Sequence, residues 1–80
     1  MDRADYEWAY FIGGNCALRF RKGGRSLARI EHSEQGVYEA LLLRWQQWDQ
    51  ADPWSLGIYD SPEKAIEAVE QVLQPHWEIK

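Results

Sequence analysis

Cys16 is the chain's one cysteine, and His32 and His76 are its two histidines. A thiol acts as a nucleophile when a nearby base takes its proton and an oxyanion hole receives the developing charge. Neither partner has a sequence signature here. Cys16 shares its period-two parity with Leu18 and Phe20, on the side expected to face a core. A small buried hydrophobe is the plainer reading of this thiol. His32 stands beside Glu31 and close to Glu34, both of which could ligate a metal. Neighbouring strand residues point to opposite faces, so Glu31 and His32 cannot both reach one ion. There is no Cys-x-x-Cys or His-x-x-x-His spacing. Asp49 and Asp52 pair two carboxylates without the glycine or ligand count of a calcium loop, and read as solubilising charges. The residues therefore predict no catalytic site, no metal and no cofactor.

Charge is distributed more informatively. Five of the nine Lys and Arg residues fall between positions 19 and 29, namely Arg19, Arg21, Lys22, Arg25 and Arg29, and no acid falls among them. Arginines on a sheet face can grip phosphates or an acidic protein surface. A charged solvent face that protects a strand edge from aggregation is the competing reading. Asp60, Glu63, Glu67 and Glu70 cluster near the other end of the chain. Carboxylates along a helix can imitate phosphates, although a solvated helix face is charged by default. Five Trp, four Tyr and two Phe in eighty residues supply unusual apolar area. Trp48 has no obvious inward assignment, so the loop between Trp48 and Trp54 is either a partner anchor or filler for a thin core.

The elements that position these groups are read from turns and periodicity. Eighty residues make one domain, spanning 1–80. A chain of this size buries only roughly 60–65% of its unfolded surface. Residues 2–7 are polar and read as frayed, and residues 8–12 are aromatic and β-favouring. Gly13-Gly14-Asn15 marks a turn, and residues 16–21 alternate, with Arg19 and Arg21 opposite Cys16, Leu18 and Phe20. Lys22-Gly23-Gly24-Arg25 is the best hairpin signal. Residues 26–32 return with Ala28 and Ile30 inward, Arg29 and Glu31 outward, and Leu27 on the outer face as a defect in the pattern. Ser33-Glu34-Gln35-Gly36 is a further turn. Residues 37–45 read as a central strand with both faces partly covered, with a helix as the competing reading. Residues 46–53 read as loop, and residues 54–59 as a strand with Trp54, Leu56 and Ile58 inward.

The helix signal that follows is the clearest. Ser61 is the N-cap, Pro62 suits the first helical position, and Glu63 meets the positive end of the helix dipole. Ala65, Ile66, Val69, Val72 and Leu73 form one stripe, with Glu63, Glu67, Glu70 and Gln74 on the wet face. Pro75 ends the helix, and Trp77 and Ile79 are placed to pin a short tail. The expected fold is α+β: an antiparallel β-meander of four to five strands packed on one C-terminal α-helix. The helix covers one sheet face and leaves Arg19, Arg21 and Arg29 on the other.

The run Leu56-Gly57-Ile58-Tyr59-Asp60-Ser61-Pro62-Glu63-Lys64-Ala65, followed by Ala68-Val69-Glu70, resembles the close of many small accessory proteins of phages and other mobile elements. Anti-CRISPR proteins share this size, acidity and build. The resemblance implies the strand-meander-plus-helix fold and assigns no functional residue.

The net charge is −4 and the pI near 5.0, which opposes non-specific binding to nucleic acid or anionic membrane. A lone cysteine allows no internal disulfide and suits a reducing cytoplasm. The first residues lack a signal-type apolar run, and no stretch is long enough to span a bilayer, so a cytoplasmic location without membrane is expected. The expected function is that of a non-enzymatic protein-binding module, an inhibitor from a phage or mobile element. It would use Arg19, Arg21, Lys22, Arg25 and Arg29 for charge complementarity and Trp48 and Trp54 as anchors. The alternative is a nucleic-acid-binding accessory protein using the same arginines. Homodimerisation is compatible with both.

Overall fold

A computed structural model of the chain describes residues 2–43 and 54–77. Five strands, β1 (Tyr6–Tyr10), β2 (Cys16–Phe20), β3 (Ser26–His32), β4 (Tyr38–Leu42) and β5 (Trp54–Tyr59), pair antiparallel in chain order, so each strand lies beside the one before it. The helix α1 (Pro62–Leu73) follows, and 3-10 turns at Arg3–Asp5 and Gln74–His76 flank these elements. This is the α+β meander expected from the turns. The start of the chain departs from expectation. It is not frayed: the Asp2 carboxylate accepts from the Ala4 amide and caps the first 3-10 turn, and β1 begins at Tyr6 rather than Trp8.

Antiparallel register sorts the side chains onto two faces. Tyr6, Trp8 and Tyr10 stand opposite Phe20, Leu18 and Cys16, and Leu18–Ala28–Leu42 and Cys16–Ile30–Ala40 continue across β3 and β4. This is the helix-facing side. Its fully buried members Leu18, Ile30 and Leu42 form one core with Val69 and Leu73. Each contributes about 1.5–3 kcal/mol by burial. The helix packs on β3, β4 and β5. Toward β1 and β2 the covering groups are aromatic, with Trp77 on Tyr6 at 5.5 Å between ring centroids and Tyr6 on Phe20 at 5.4 Å. Trp77 thus pins the tail as expected, while Ile79 lies outside the described residues.

β4 is covered on both faces, as its apolar run implied: Ala40, Leu41 and Leu42 are all buried. Two inward–outward assignments fail, each at a break in register. Leu27, expected outside, is 2% exposed and belongs to the core. It is the extra residue where Leu18 faces Ala28 but Arg19 faces Ser26. In β5, Ala40 faces Gly57 but Leu41 faces Ser55, so Leu56 is the extra residue and the alternation slips by one. Leu56 and Tyr59 pack on the core, whereas Ile58, expected inward, stands opposite Glu39 on the far face and is 65% exposed; Trp54 lies opposite Leu42 on the helix-facing side, as expected, yet is 49% exposed at the end of its strand. Gly57 makes the bulge feasible with φ +140.

The helix starts as its sequence requires. Ser61 Oγ accepts from the Lys64 amide and Pro62 occupies the first turn. Ala65, Val69 and Leu73 are buried, Ile66 is half-buried, and Val72 lies at the rim. Glu70, expected on the wet face, turns to the sheet. It accepts from Arg3 Nη2 at 2.8 Å and from Trp8 Nε1 at 3.0 Å. Arg3 also lies 5.6 Å from the Trp77 ring centroid, so one guanidinium clasps the first turn, β1 and the helix together.

Candidate interaction surface

The sheet face away from the helix holds the expected cations with matching acids. Cross-strand pairs there are Glu7 with Arg19, Ala9 with Ala17, Ala17 with Arg29, Arg29 with Leu41, and Glu31 with Glu39. Arg29 Nη2 pairs with Glu31 at 2.8 Å. Arg21, one residue beyond β2, donates to Glu7 at 2.9 Å and to the Ala4 carbonyl at 2.9 Å. Ser55 Oγ donates to Glu39 at 2.8 Å. Arg19, Arg21 and Arg29 are thus offset by Glu7, Glu31 and Glu39, and this face is charge-balanced rather than basic. Arg19, Lys22 and Arg25 form no ion pair among the described residues. They gather at the β2–β3 end of the sheet. Trp54 stands at that same end, but with β3 and β4 between it and β2. Trp48, Asp49 and Asp52 lie outside the described residues.

The other end of the sheet carries what sequence reading missed. Tyr10, Phe11 and Ile12, at the β1–β2 hairpin tip, are 72%, 50% and 101% exposed. They are consecutive, so burying any one on this protein would expose its neighbours. The turn closes on a backbone bond, the Phe11 amide donating to the Asn15 carbonyl at 2.8 Å, and Gly13 and Gly14 take φ near +90, which other residues resist. Asn15 Oδ1 accepts from the His32 amide at 2.8 Å. His32 Nδ1 lies 2.9 Å from the Gly13 carbonyl, which can only accept, so that nitrogen carries the proton. The His32 ring stacks on Tyr38 at 4.4 Å. Beneath Phe11 lies an open cavity of about 410 Å³, lined also by Asn15, Cys16, Arg29, Glu31 and His32.

Cys16 borders that cavity but is 1% exposed, and desolvation raises the pKa of its thiol. A thiol held protonated by burial is a poor nucleophile. His76 lies beyond the helix, in the 3-10 turn Gln74–His76. No group of three or more His, Cys, Asp or Glu side chains is placed to hold a metal ion among the described residues. No helix among them is long and apolar enough to cross a membrane. Just before the helix, Asp60 pairs with Lys64 at 2.9 Å, which lowers the Asp60 pKa through the hydrogen bond and charge of Lys64. With Glu70 turned inward, the expected acidic stripe is left with Glu63 and Glu67 exposed.

The signal that could have found the tip is the placement of its apolar run. Residues 8–12 are uniformly apolar up to the Gly13-Gly14 turn, and a run that reaches the turn cannot all lie in the core. Compared with known proteins, the chain matches no family model, no curated protein and no solved structure.

Proposed function

We propose that this chain is a non-enzymatic protein-binding module whose contact surface is the β1–β2 hairpin tip with the adjoining cavity. The observation that carries the reading is the exposure of Tyr10, Phe11 and Ile12 at a hydrogen-bonded hairpin tip. Contiguous exposed apolar groups rimmed by polar ones characterise interaction sites. Aromatic anchors beside a pocket are the groups that most often dominate interface energy. Arg29 and Glu31 in the cavity wall supply polar partners for orientation. The arginines then act at the rim, where charge steers encounter more than it holds the complex. The likeness to accessory proteins of mobile elements makes a host-cell protein the partner to seek first.

The test places a photo-crosslinking amino acid at position 12 and follows capture of a partner from host lysate. Phe11→Asp and Ile12→Asp, both at exposed positions, should each reduce binding of the captured protein at least tenfold while the melting temperature stays within a few degrees. Unchanged binding in both variants would refute the assignment and return attention to Arg19, Lys22 and Arg25.

A further inference from the structure

We infer that the β1 edge pairs with the β1 edge of a second copy, antiparallel about a two-fold axis at Ala9, joining two five-stranded sheets into one. The inference rests on the reading of the hairpin tip as a contact surface, and names an occupant for it.

Among the described residues β1 is an edge strand. The Arg21 amide donates to Asp5 and the Phe11 amide to the Asn15 carbonyl, so the alternation turns the backbone of residues 5, 7, 9 and 11 toward β2. The backbone groups of Tyr6, Trp8 and Tyr10 therefore point away from the sheet. Arg3 Nη1 already donates to the Tyr6 carbonyl at 2.8 Å. The remaining donors and acceptors belong to Trp8 and Tyr10. A two-fold at Ala9 sets Trp8 opposite the partner's Tyr10 and Tyr10 opposite the partner's Trp8, and the four amides and carbonyls of each pair of residues are used on both sides. Ala9 meets its own copy in a non-hydrogen-bonded pair, where strands approach most closely and a small side chain fits.

The same register extends the complementarity beyond the ladder. It sets Glu7 opposite the partner's Phe11 and Tyr6 opposite the partner's Ile12, so no charge faces a like charge. All three exposed tip residues then face the partner strand, and the hydrogen-bonded ladder stops where Arg3 holds the Tyr6 carbonyl. From Trp8 onward this edge also lacks the usual protections, because residues 8–12 contain no charge and no proline and β1 pairs with β2 without a bulge. The other edge, β5, does carry a bulge. Tyr10 and Phe11 each still expose on the order of 100 Å². Doubled over the two-fold, with Ile12, the covered area falls short of the roughly 1,200–2,000 Å² of stable complexes. The dimer therefore forms reversibly with rising concentration.

Sedimentation equilibrium over a concentration series, with hydrogen exchange at each concentration, tests the register. Wild type should pass from monomer to dimer, with the Trp8 and Tyr10 amides gaining protection while the Glu7 and Ala9 amides stay unchanged. Ala9→Glu and Ala9→Lys, each checked for fold by circular dichroism, should be monomers alone and form a dimer when mixed, because only at the two-fold does a residue oppose its own copy. Tyr10→Pro removes an amide that points away from β2 and should abolish dimerisation with the sheet intact. A monomer at about 1 mM, failure of the charged pair to associate on mixing, or a dimer without protection at Trp8 and Tyr10 would each overturn the inference. If wild type is monomeric while Phe11→Asp and Ile12→Asp still lose a captured partner, self-pairing fails and the contact surface stands; if neither loses it, both fall.

Discussion

Replacing Glu70 separates two contributions that meet in one carboxylate. Glu70 accepts from Arg3 Nη2 at 2.8 Å and Arg3 Nε at 3.1 Å, and from Trp8 Nε1 at 3.0 Å. The Arg3 and Glu70 side chains are 38% and 31% exposed. Solvent therefore screens the ion pair, which is worth about 0.5–1 kcal/mol at this exposure. The indole bond is directed at a charged acceptor in a part-buried site and is worth about 1–1.5 kcal/mol, near the lower end for such bonds. Glu70→Ala removes both and should destabilise by about 2 kcal/mol, lowering the melting temperature by about 10 °C for a domain of this size. Glu70→Gln keeps an acceptor oxygen for Trp8 and should cost only about 0.5–1 kcal/mol. Urea unfolding followed by far-ultraviolet circular dichroism measures both differences. Equal losses in the two variants would show that the indole bond contributes nothing. A loss in Glu70→Ala below about 0.5 kcal/mol would show that the clasp is not a source of stability.

Two further outcomes concern the region around the hairpin tip. At Gly14 an added Cβ would lie 2.8 Å from His32 Nδ1 with φ at +88, whereas at Gly13 it would meet open space with φ at +93. Gly13→Ala should cost about 1 kcal/mol from backbone strain, and Gly14→Ala about 2–3 kcal/mol with displacement of the His32 ring, read by thermal unfolding and by the His32 nuclear magnetic resonance signals. Equal costs would show that the His32 contact yields freely. The buried Cys16 thiol should react with a disulfide reagent only after denaturant is added. Its raised folded pKa also gives a sign. Below the unfolded thiol's pKa both states keep the proton; above it the unfolded chain loses the proton first, so stability falls as pH rises past that value. Cys16→Val should remove that part of the alkaline loss, and an unchanged pH profile would contradict it.

Much of the fold was legible because local signals agreed. Paired glycines marked the turns at Gly13-Gly14 and Gly23-Gly24, and Ser61-Pro62-Glu63 marked the helix start. What remained illegible was non-local. A bulge adds one residue without changing composition, so the slip at Leu56 and Gly57 that turns Ile58 outward leaves no trace in the alternation. Leu27 looked like a defect for the same reason. Glu70 looked solvated because its partner Arg3 lies 67 residues away. The candidate site was misweighted for a related reason. A count of arginines between positions 19 and 29 cannot register that Glu7 comes to lie beside Arg21, and it stops short of Glu31, which shares the outward face with Arg29. The aromatic run before Gly13 reads only as β-favouring, which does not say which of its residues lie beyond the covered part of the sheet.

The meander order has a consequence for how the chain is made. During synthesis each strand emerges next to the partner already present, so the sheet can grow one hairpin at a time, without waiting for a distant segment. The helix arrives last, and with it the acceptor that Arg3 and Trp8 have been without. Until then the growing sheet has an uncovered apolar face. Growth from β1 onward and closure by the helix are therefore separate events.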